Sequence, residues 1–199
     1  MTKTRLEAFS DAVIAIIMTL MVLELPIPGD DAGWDAIRRL GEHFFVYVLS
    51  FVFLGIYWSN HHHLIHTVER VNGKILWANL HLLFWLSLTP FVTGWMGENG
   101  FAPAPTMAYG VVLLMAAIAY KILQSTILGA HGPDFRLRRV LGNDFKGKIS
   151  PLCYAAGIGL AYVNRWASLS LYVFVALIWL VPDKRIESIY EAEQEEVEG

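Results

Sequence analysis

Charged residues are scarce in this sequence of 199 residues. Only 17% of the chain is Asp, Glu, Lys or Arg, 55% is hydrophobic, and the mean hydropathy is +0.46. A soluble domain of this length exposes more polar surface than such a composition supplies, because much of its exterior must contact water. The net charge of −3 and the lack of a basic arm argue against a nucleic-acid partner. We therefore expect an integral membrane protein surrounded by the lipid bilayer.

Cysteine and recognisable catalytic motifs are also scarce. The single cysteine, Cys153, has no second cysteine to pair with in the chain, and it lies in an apolar stretch where a small buried side chain is expected. We find no nucleotide-binding motif and no catalytic constellation, so the sequence does not predict an enzyme. It also lacks a Thr-Val-Gly-Tyr-Gly segment, which forms the carbonyl filter of ordinary potassium channels.

Six long apolar stretches are present, and a helix that spans a bilayer takes roughly 20 residues. They run from Leu6 to Leu25, His43 to Val68, Ile75 to Met96, Pro105 to Gly129, Ile149 to Val163 and Trp166 to Val181. The first ends before Pro26, and the fifth has Pro151 in its predicted first turn. The pattern predicts an all-α membrane domain of six transmembrane helices over residues 1–182. An acidic tail follows over residues 183–199.

Lysine and arginine are distributed unequally between the two ends of the predicted helices. Three of them, Arg38, Arg39 and Arg165, fall on one side, and 11 fall on the other. The 11 are Lys3, Arg5, Arg70, Lys74, Arg136, Arg138, Arg139, Lys146, Lys148, Lys184 and Arg185. By the positive-inside rule, both termini and the acidic tail are expected in the cytoplasm.

The first predicted helix carries an apolar stripe and an intramembrane acid on different faces. At about 100° per residue, four apolar side chains lie within about 40° of one direction: Phe9, Ile16, Leu20 and Leu23. Thr19 lies about 60° from Ile16, and Asp11 about 140° from it. Such a stripe is typical of helix-packing or lipid-facing surface, and it also fits a pore lining. Because a carboxylate that faces lipid is costly, we expect Asp11 to contact a neighbouring helix.

Arg5 is the cation nearest to Asp11 along the chain, but the two are six residues apart, which is not a same-face spacing. A pair between them would need a bend, another helix or another subunit. Glu7 and Asp11 also interrupt the apolar region that a cleaved signal peptide requires, so we expect this helix to be retained.

The start of this helix resembles that of a known family. It reads Arg-x-x-x-Phe-Ser-Asp over residues 5–11, and Thr19-Leu20 and Leu23-Glu24-Leu25 follow. Weaker likenesses follow in order: Tyr57-Trp58-Ser59-Asn60-His61-His62, Leu88-Thr89-Pro90-Phe91 and Pro182-Asp183-Lys184-Arg185-Ile186. Together they cover most of the chain and resemble the prokaryotic relatives of the lysosomal potassium channel, transmembrane protein 175.

This resemblance implies a potassium-permeable cation channel in the cell membrane of a prokaryote, assembled as a homotetramer of six-helix subunits. The first helix of each subunit would line the pore, and the permeating K⁺ ions would need no cofactor or bound metal. Apolar rings would form the constriction, with a threonine ring beside them that contributes to selectivity: Ile16, Thr19, Leu20 and Leu23. The resemblance also implies a polar network that anchors the pore helix: Arg5, Phe9, Ser10 and Asp11, with His61 or His62.

Other polar residues leave alternatives open. Glu24, at the predicted outer mouth, could attract cations or be an interfacial residue without a function. Lys121, inside the fourth stretch, could extend its ammonium group to the interface or pair with an internal acid. The histidines of the second stretch could join helices, and His62 and His66 have a spacing that also suits a metal.

Two rival functions are consistent with the same residues. A proton-coupled secondary transporter would use Asp11 and the histidines as a relay, although no internal repeat is evident. A haem-binding membrane oxidoreductase would use histidines from several helices.

Overall fold

The computed structural model describes residues 1–27, 33–131 and 145–180 of the chain. The predicted acidic tail over residues 183–199 lies outside the described residues. So do five of the predicted cytoplasmic cations: Arg136, Arg138, Arg139, Lys184 and Arg185.

Helices account for nearly all of the described residues, which confirms the predicted all-α fold. They are α1 (Lys3–Leu20), α2 (Trp34–His66), α3 (Gly73–Ser87), α4 (Thr89–Glu98), α5 (Pro103–Ala130), α6 (Phe145–Ala161) and α7 (Arg165–Leu180). A 3-10 turn, Met21–Glu24, continues α1. The six predicted stretches all contain helix, with α3 and α4 together occupying the third.

Among the described residues, four helical segments are long and apolar enough to cross a membrane. They are Lys3–Glu24, Leu40–His66, Gly73–Glu98 and Pro103–Ala130. The described parts of α6 and α7 are shorter, at 17 and 16 residues.

The predicted third stretch is confirmed as one apolar span, Gly73–Glu98, although its helical hydrogen bonding is interrupted at a single residue, Leu88. α3 ends at Ser87, and α4 begins at Thr89. Pro90 lies in the first turn of α4 and has no backbone N–H to donate to the last turn of α3. The backbone N–H of Leu88 instead donates to Trp85 O at 3.3 Å, an i to i−3 bond that closes α3.

The predicted start of the fifth helix is wrong, because Pro151 lies inside α6 rather than in its first turn. α6 is already helical at Phe145. The Ser150 hydroxyl donates to Lys146 O at 2.7 Å and accepts from Trp179 Nε1 of α7 at 2.8 Å. Side-chain hydrogen bonds therefore support the helix where the proline interrupts its backbone pattern.

The helices pack around two apolar cores. The first joins α1, α2, α3 and α5 through residues such as Ile14, Leu82 and Leu123. The second joins α2 and α4 with α5, α6 and α7, around Tyr109 and Tyr172. α1 therefore belongs to the first core only.

Contacts between helix termini show which termini lie at the same end of the subunit. Lys3 Nζ, at the start of α1, donates to His66 O at the end of α2. The backbone N–H of Glu69 donates to His131 Nε2, just beyond α5, at 3.2 Å. We call this the basic end, because Lys3, Arg70 and Lys74 belong to it. At the opposite end, the Arg165 guanidinium donates to Gly100 O at 2.9 Å.

α6 and α7 form a hairpin across residues 162–164. Asn164 Oδ1 accepts from the backbone N–H groups of Trp166 and Ala167 at 3.0 and 3.2 Å, which caps α7. Tyr172 of α7 fits against two glycines, Gly157 of α6 and Gly110 of α5. A Cβ at either position would overlap the Tyr172 side chain, so the absence of a side chain permits this packing.

We expect Gly157→Ala to lower the stability of the protein by about 1–3 kcal/mol, the usual cost of overpacking. Gly159→Ala is the control, because a Cβ at Gly159, on the same helix, would contact nothing within 4 Å among the described residues. Thermal unfolding in detergent measures both. Equal melting temperatures for the two variants would contradict the packing assigned to Tyr172.

Candidate pore helix and its polar attachments

α1 has one buried face and one exposed face. The buried residues recur every three or four positions, as one side of a helix requires: Leu6, Ser10, Ile14, Ile17 and Met21. The predicted stripe lies on the exposed side, with exposed fractions of 46% for Phe9, 57% for Ile16, 45% for Leu20 and 74% for Leu23. Within one subunit the stripe is therefore free to face lipid, another subunit or a pore.

A hydrogen-bonded network of buried side chains joins α1 to α2 and α3. Asn79 of α3 donates from Nδ2 to Ser10 Oγ of α1 at 2.9 Å. The Asn79 oxygen Oδ1 lies 2.6 Å from His61 Nε2 of α2, and this nitrogen is the donor because an amide oxygen only accepts. Ser10 Oγ donates in turn to Leu6 O at 2.9 Å. Ser10, His61 and Asn79 are all fully buried, so water does not compete for these bonds.

Two acidic residues attach α1 to α2 on the face of α1 next to the one that carries Ser10. Trp58 Nε1 donates to Asp11 Oδ1 at 3.1 Å. One turn earlier on α1, Glu7 Oε1 lies 3.3 Å from His62 Nδ1. Both pairs are partly exposed, so they contribute less to stability than the buried network.

The subunit does not bring Arg5 and Phe9 into these contacts. Both side chains are exposed, and Arg5 lies within about 20° of Ile16 by helical geometry. Its guanidinium makes no hydrogen bond or ion pair within residues 1–27, 33–131 and 145–180, so the Arg5–Asp11 pair is not formed within the subunit. An anchoring role for Arg5 and Phe9 stays a prediction that requires a neighbouring subunit.

Sequence reasoning did not assign three residues that make these attachments: Glu7, Trp58 and Asn79. For two of them, Asn79 and Glu7, a signal exists in the sequence. Asn79 is an amide inside an apolar stretch, where side chains of this kind usually bond across helices. Glu7 is four residues before Asp11 and therefore shares its face of α1.

Two oxygen-bearing side chains lie on or near the exposed side of α1. The Thr19 hydroxyl donates to Ile16 O at 2.8 Å, which leaves its oxygen lone pairs able to coordinate a cation. Glu24 is exposed, and its carboxylate lies against Gly94 of α4. A Cβ at Gly94 would overlap Oε2 and come within 3.2 Å of Cδ, so Gly94 provides the space for this carboxylate.

The histidines form ring contacts rather than a metal-binding group. The ring centroids of His62 and His66 lie 6.4 Å apart. Across the part of the chain that the structure describes, no three His, Cys, Asp or Glu side chains are placed to hold a metal ion.

These features define a polytopic α-helical membrane protein whose first helix is held to the subunit on one face only. Comparison with known proteins then identifies its relatives. Residues 5–90 match the model of a family described as the endosomal/lysosomal potassium channel TMEM175. The chain is 50% identical over 187 residues to a potassium channel of Chryseobacterium sp. (strain P1-3). This alignment covers 94% of this chain and 97% of the relative. The chain therefore belongs to the TMEM175 family.

A second relative and a solved structure are also similar to this chain. The chain is 28% identical over 190 residues to a potassium channel of Streptomyces collinus, covering 88% of this chain and 90% of that one. Its fold matches the crystal structure of a lysosomal potassium-selective channel TMEM175 homologue from Chamaesiphon minutus. That match has a TM-score of 0.75 and 23% identity, and it covers 90% of this chain and 96% of the other.

We expect Asn79→Leu to lower the stability of the protein by about 1–3 kcal/mol, because it removes two hydrogen bonds between helices and leaves Ser10 and His61 without them. The control is Asn60→Leu, because among the described residues the Asn60 side chain donates only to Ile56 O of its own helix, at 2.8 Å. Thermal unfolding in detergent, followed by tryptophan fluorescence, compares the two. A melting temperature that falls no further for Asn79→Leu than for Asn60→Leu would show that the network does not hold α1.

Proposed function

We propose that this protein forms a potassium-permeable cation channel in which α1 of each subunit lines a central pore. The observation that carries the proposal is the two-sided packing of α1. One face is buried and hydrogen-bonded to α2 and α3, while the apolar stripe on the other side remains uncovered in the subunit. The name of the relative at 50% identity, a potassium channel, supports the same ion.

Assembly as a homotetramer would place four copies of the stripe around one axis. The constriction is then formed by rings of Ile16, Leu20 and Leu23, with Phe9 nearer the basic end. A narrow apolar neck blocks ions by losing its water, and a slightly wider one passes partly hydrated cations. Potassium gives up water more readily than sodium, so a neck that forces partial dehydration favours potassium. The outward oxygen lone pairs of Thr19 would replace part of the lost hydration.

The proposed orientation places the basic end in the cytoplasm of a prokaryotic cell. Lys3, Arg70 and Lys74 lie at that end of the described helices, and the rule that basic residues stay inside then places both termini there. Glu24 and Gly94 lie toward the opposite end, at the outer mouth. Exposed carboxylates around this mouth would raise the local concentration of cations.

The two rival functions receive less support. Membership of a family of channels favours passive conduction over proton-coupled transport and over haem chemistry. The buried His61 bonds to an amide and the partly exposed His62 lies beside a carboxylate, which accounts for both side chains through contacts between helices.

We expect Ile16→Asn and Leu20→Asn to raise ion flux severalfold or to change the potassium-to-sodium ratio, because a polar ring keeps the neck hydrated. The protein is reconstituted in vesicles, and flux is measured under each ion in turn. Leu177→Asn on α7 is the control, since Leu177 is also an apolar side chain with 56% exposure. If the α1 variants conduct and select as Leu177→Asn does, α1 does not form the constriction.

We expect Glu24→Gln to reduce potassium current at low ionic strength and to have little effect at high ionic strength, where salt screens the mouth. Glu69→Gln is the control, because Glu69 is an exposed acid at the basic end, away from the proposed outer mouth. Single-channel recordings at two potassium concentrations test this. If the reduction caused by Glu24→Gln does not depend on salt, or if Glu69→Gln causes an equal reduction, Glu24 does not act at the outer mouth.

A further inference from the structure

Lys121 is a cation in the membrane-spanning part of α5 whose role the channel proposal leaves unassigned. It lies nine residues before Ala130, the last residue of α5, which corresponds to about 14 Å along the helix axis. The side chain is exposed. It makes no hydrogen bond or ion pair with any residue of the three described ranges. A lysine at this depth is costly unless an anion or water reaches its ammonium group.

The surface beside Lys121 is a hollow of ≈ 390 Å³ between α5 and α6. Ala117 and Ile118 line the part farthest from the basic end, and Lys121, Ser125 and Thr126 lie nearer to it on α5, with Ile122 and Pro151 completing the wall. A second hollow, of ≈ 640 Å³, continues along the same face of α5 toward the start of α3. It shares Thr126 with the first and adds another cation, Lys74.

The two hollows together form one groove, and the polarity of its lining changes from one end to the other. The end that runs into the membrane is apolar, and the end that reaches the basic end of the protein offers two lysines and two hydroxyl side chains. An occupant that fits both parts has an acyl chain and an anionic head. A free anion would leave the apolar wall uncovered, and a neutral lipid would leave the lysines without a counter-charge.

We propose that this groove binds an anionic phospholipid from the leaflet at the basic end. The phosphate contacts Lys121, and the hydroxyls of Ser125 and Thr126 border the same position, while one acyl chain lies along Ala117 and Ile118. Lys74, at the start of α3, attracts the head group from the membrane surface. The lipid is expected to be anionic, because a negatively charged phosphate offsets the free-energy cost of holding the Lys121 ammonium group inside the membrane.

Native mass spectrometry of the purified assembly in detergent tests the proposal without any measurement of conduction. The probes are phosphatidylglycerol and phosphatidylcholine with identical acyl chains. The wild-type protein is expected to retain phosphatidylglycerol in preference to phosphatidylcholine. Lys121→Met is expected to weaken phosphatidylglycerol binding about fivefold, the effect of one basic residue near a membrane surface, and to leave phosphatidylcholine binding unchanged.

Two controls separate the charge of this lysine from the general charge of the protein. Arg70→Met removes one exposed cation from the same end, in the turn between α2 and α3, and is expected to leave both lipids bound as in the wild type. Lys121→Arg keeps the cation and is expected to keep the preference, which shows that position 121 tolerates a change of shape.

Four results would overturn the proposal. The wild-type protein could bind both lipids equally, or Lys121→Met could bind them as Arg70→Met does. Excess inorganic phosphate could displace phosphatidylglycerol completely, which would identify a site for free anions. A smaller assembly mass for Lys121→Met, with Lys121→Arg unchanged, would instead make this face of α5 a contact between subunits.

Discussion

The hydrogen bonds that run from His61 through Asn79 to Ser10 are the constraint on which the placement of α1 depends. Inside a membrane protein, such groups have few alternative partners, so their bonds fix the rotation of a helix as well as its distance from its neighbours. A helix turns about 100° per residue, and Ser10 and Ile16 are therefore about 120° apart around α1. Once Ser10 faces the subunit interior, Ile16 must face outward.

Most of the fold could be predicted from apolar runs, because in a membrane the length of a run and its flanking prolines nearly determine a helix. The one-residue interruption at Leu88 and the interior position of Pro151 could not be predicted in this way. Both depend on how a proline is accommodated, and the chain uses opposite solutions at the two places. Pro90 begins a new helix, whereas Ser150 and Trp179 provide side-chain hydrogen bonds that allow α6 to continue past Pro151.

The exposed stripe of the candidate pore helix could be predicted from the sequence, but the hydrogen-bond partners of this helix could not. Helical spacing alone separates the apolar stripe of α1 from Asp11, and the exposed fractions of Ile16 and Leu23 follow that division. The partners could not be predicted, because they lie on other helices at positions that depend on packing. Asn79, on which the buried network depends, is 69 residues from Ser10 along the chain. No spacing rule within one helix connects them.

Each hydrogen bond of this network has a defined donor and acceptor, and their order along the network has a consequence for His61. The Ser10 hydroxyl hydrogen is committed to Leu6 O, so Ser10 must accept from Asn79, whose amide is thereby oriented with its oxygen toward His61. His61 must then carry a hydrogen on Nε2, and when neutral it keeps a bare Nδ1, which is buried without a partner among the described residues. A backbone carbonyl on α1 thus selects the tautomer of a histidine on α2. A rotation of α1 would move Leu6 and Ser10 together, and it would remove from Asn79 the acceptor that orients its amide toward His61.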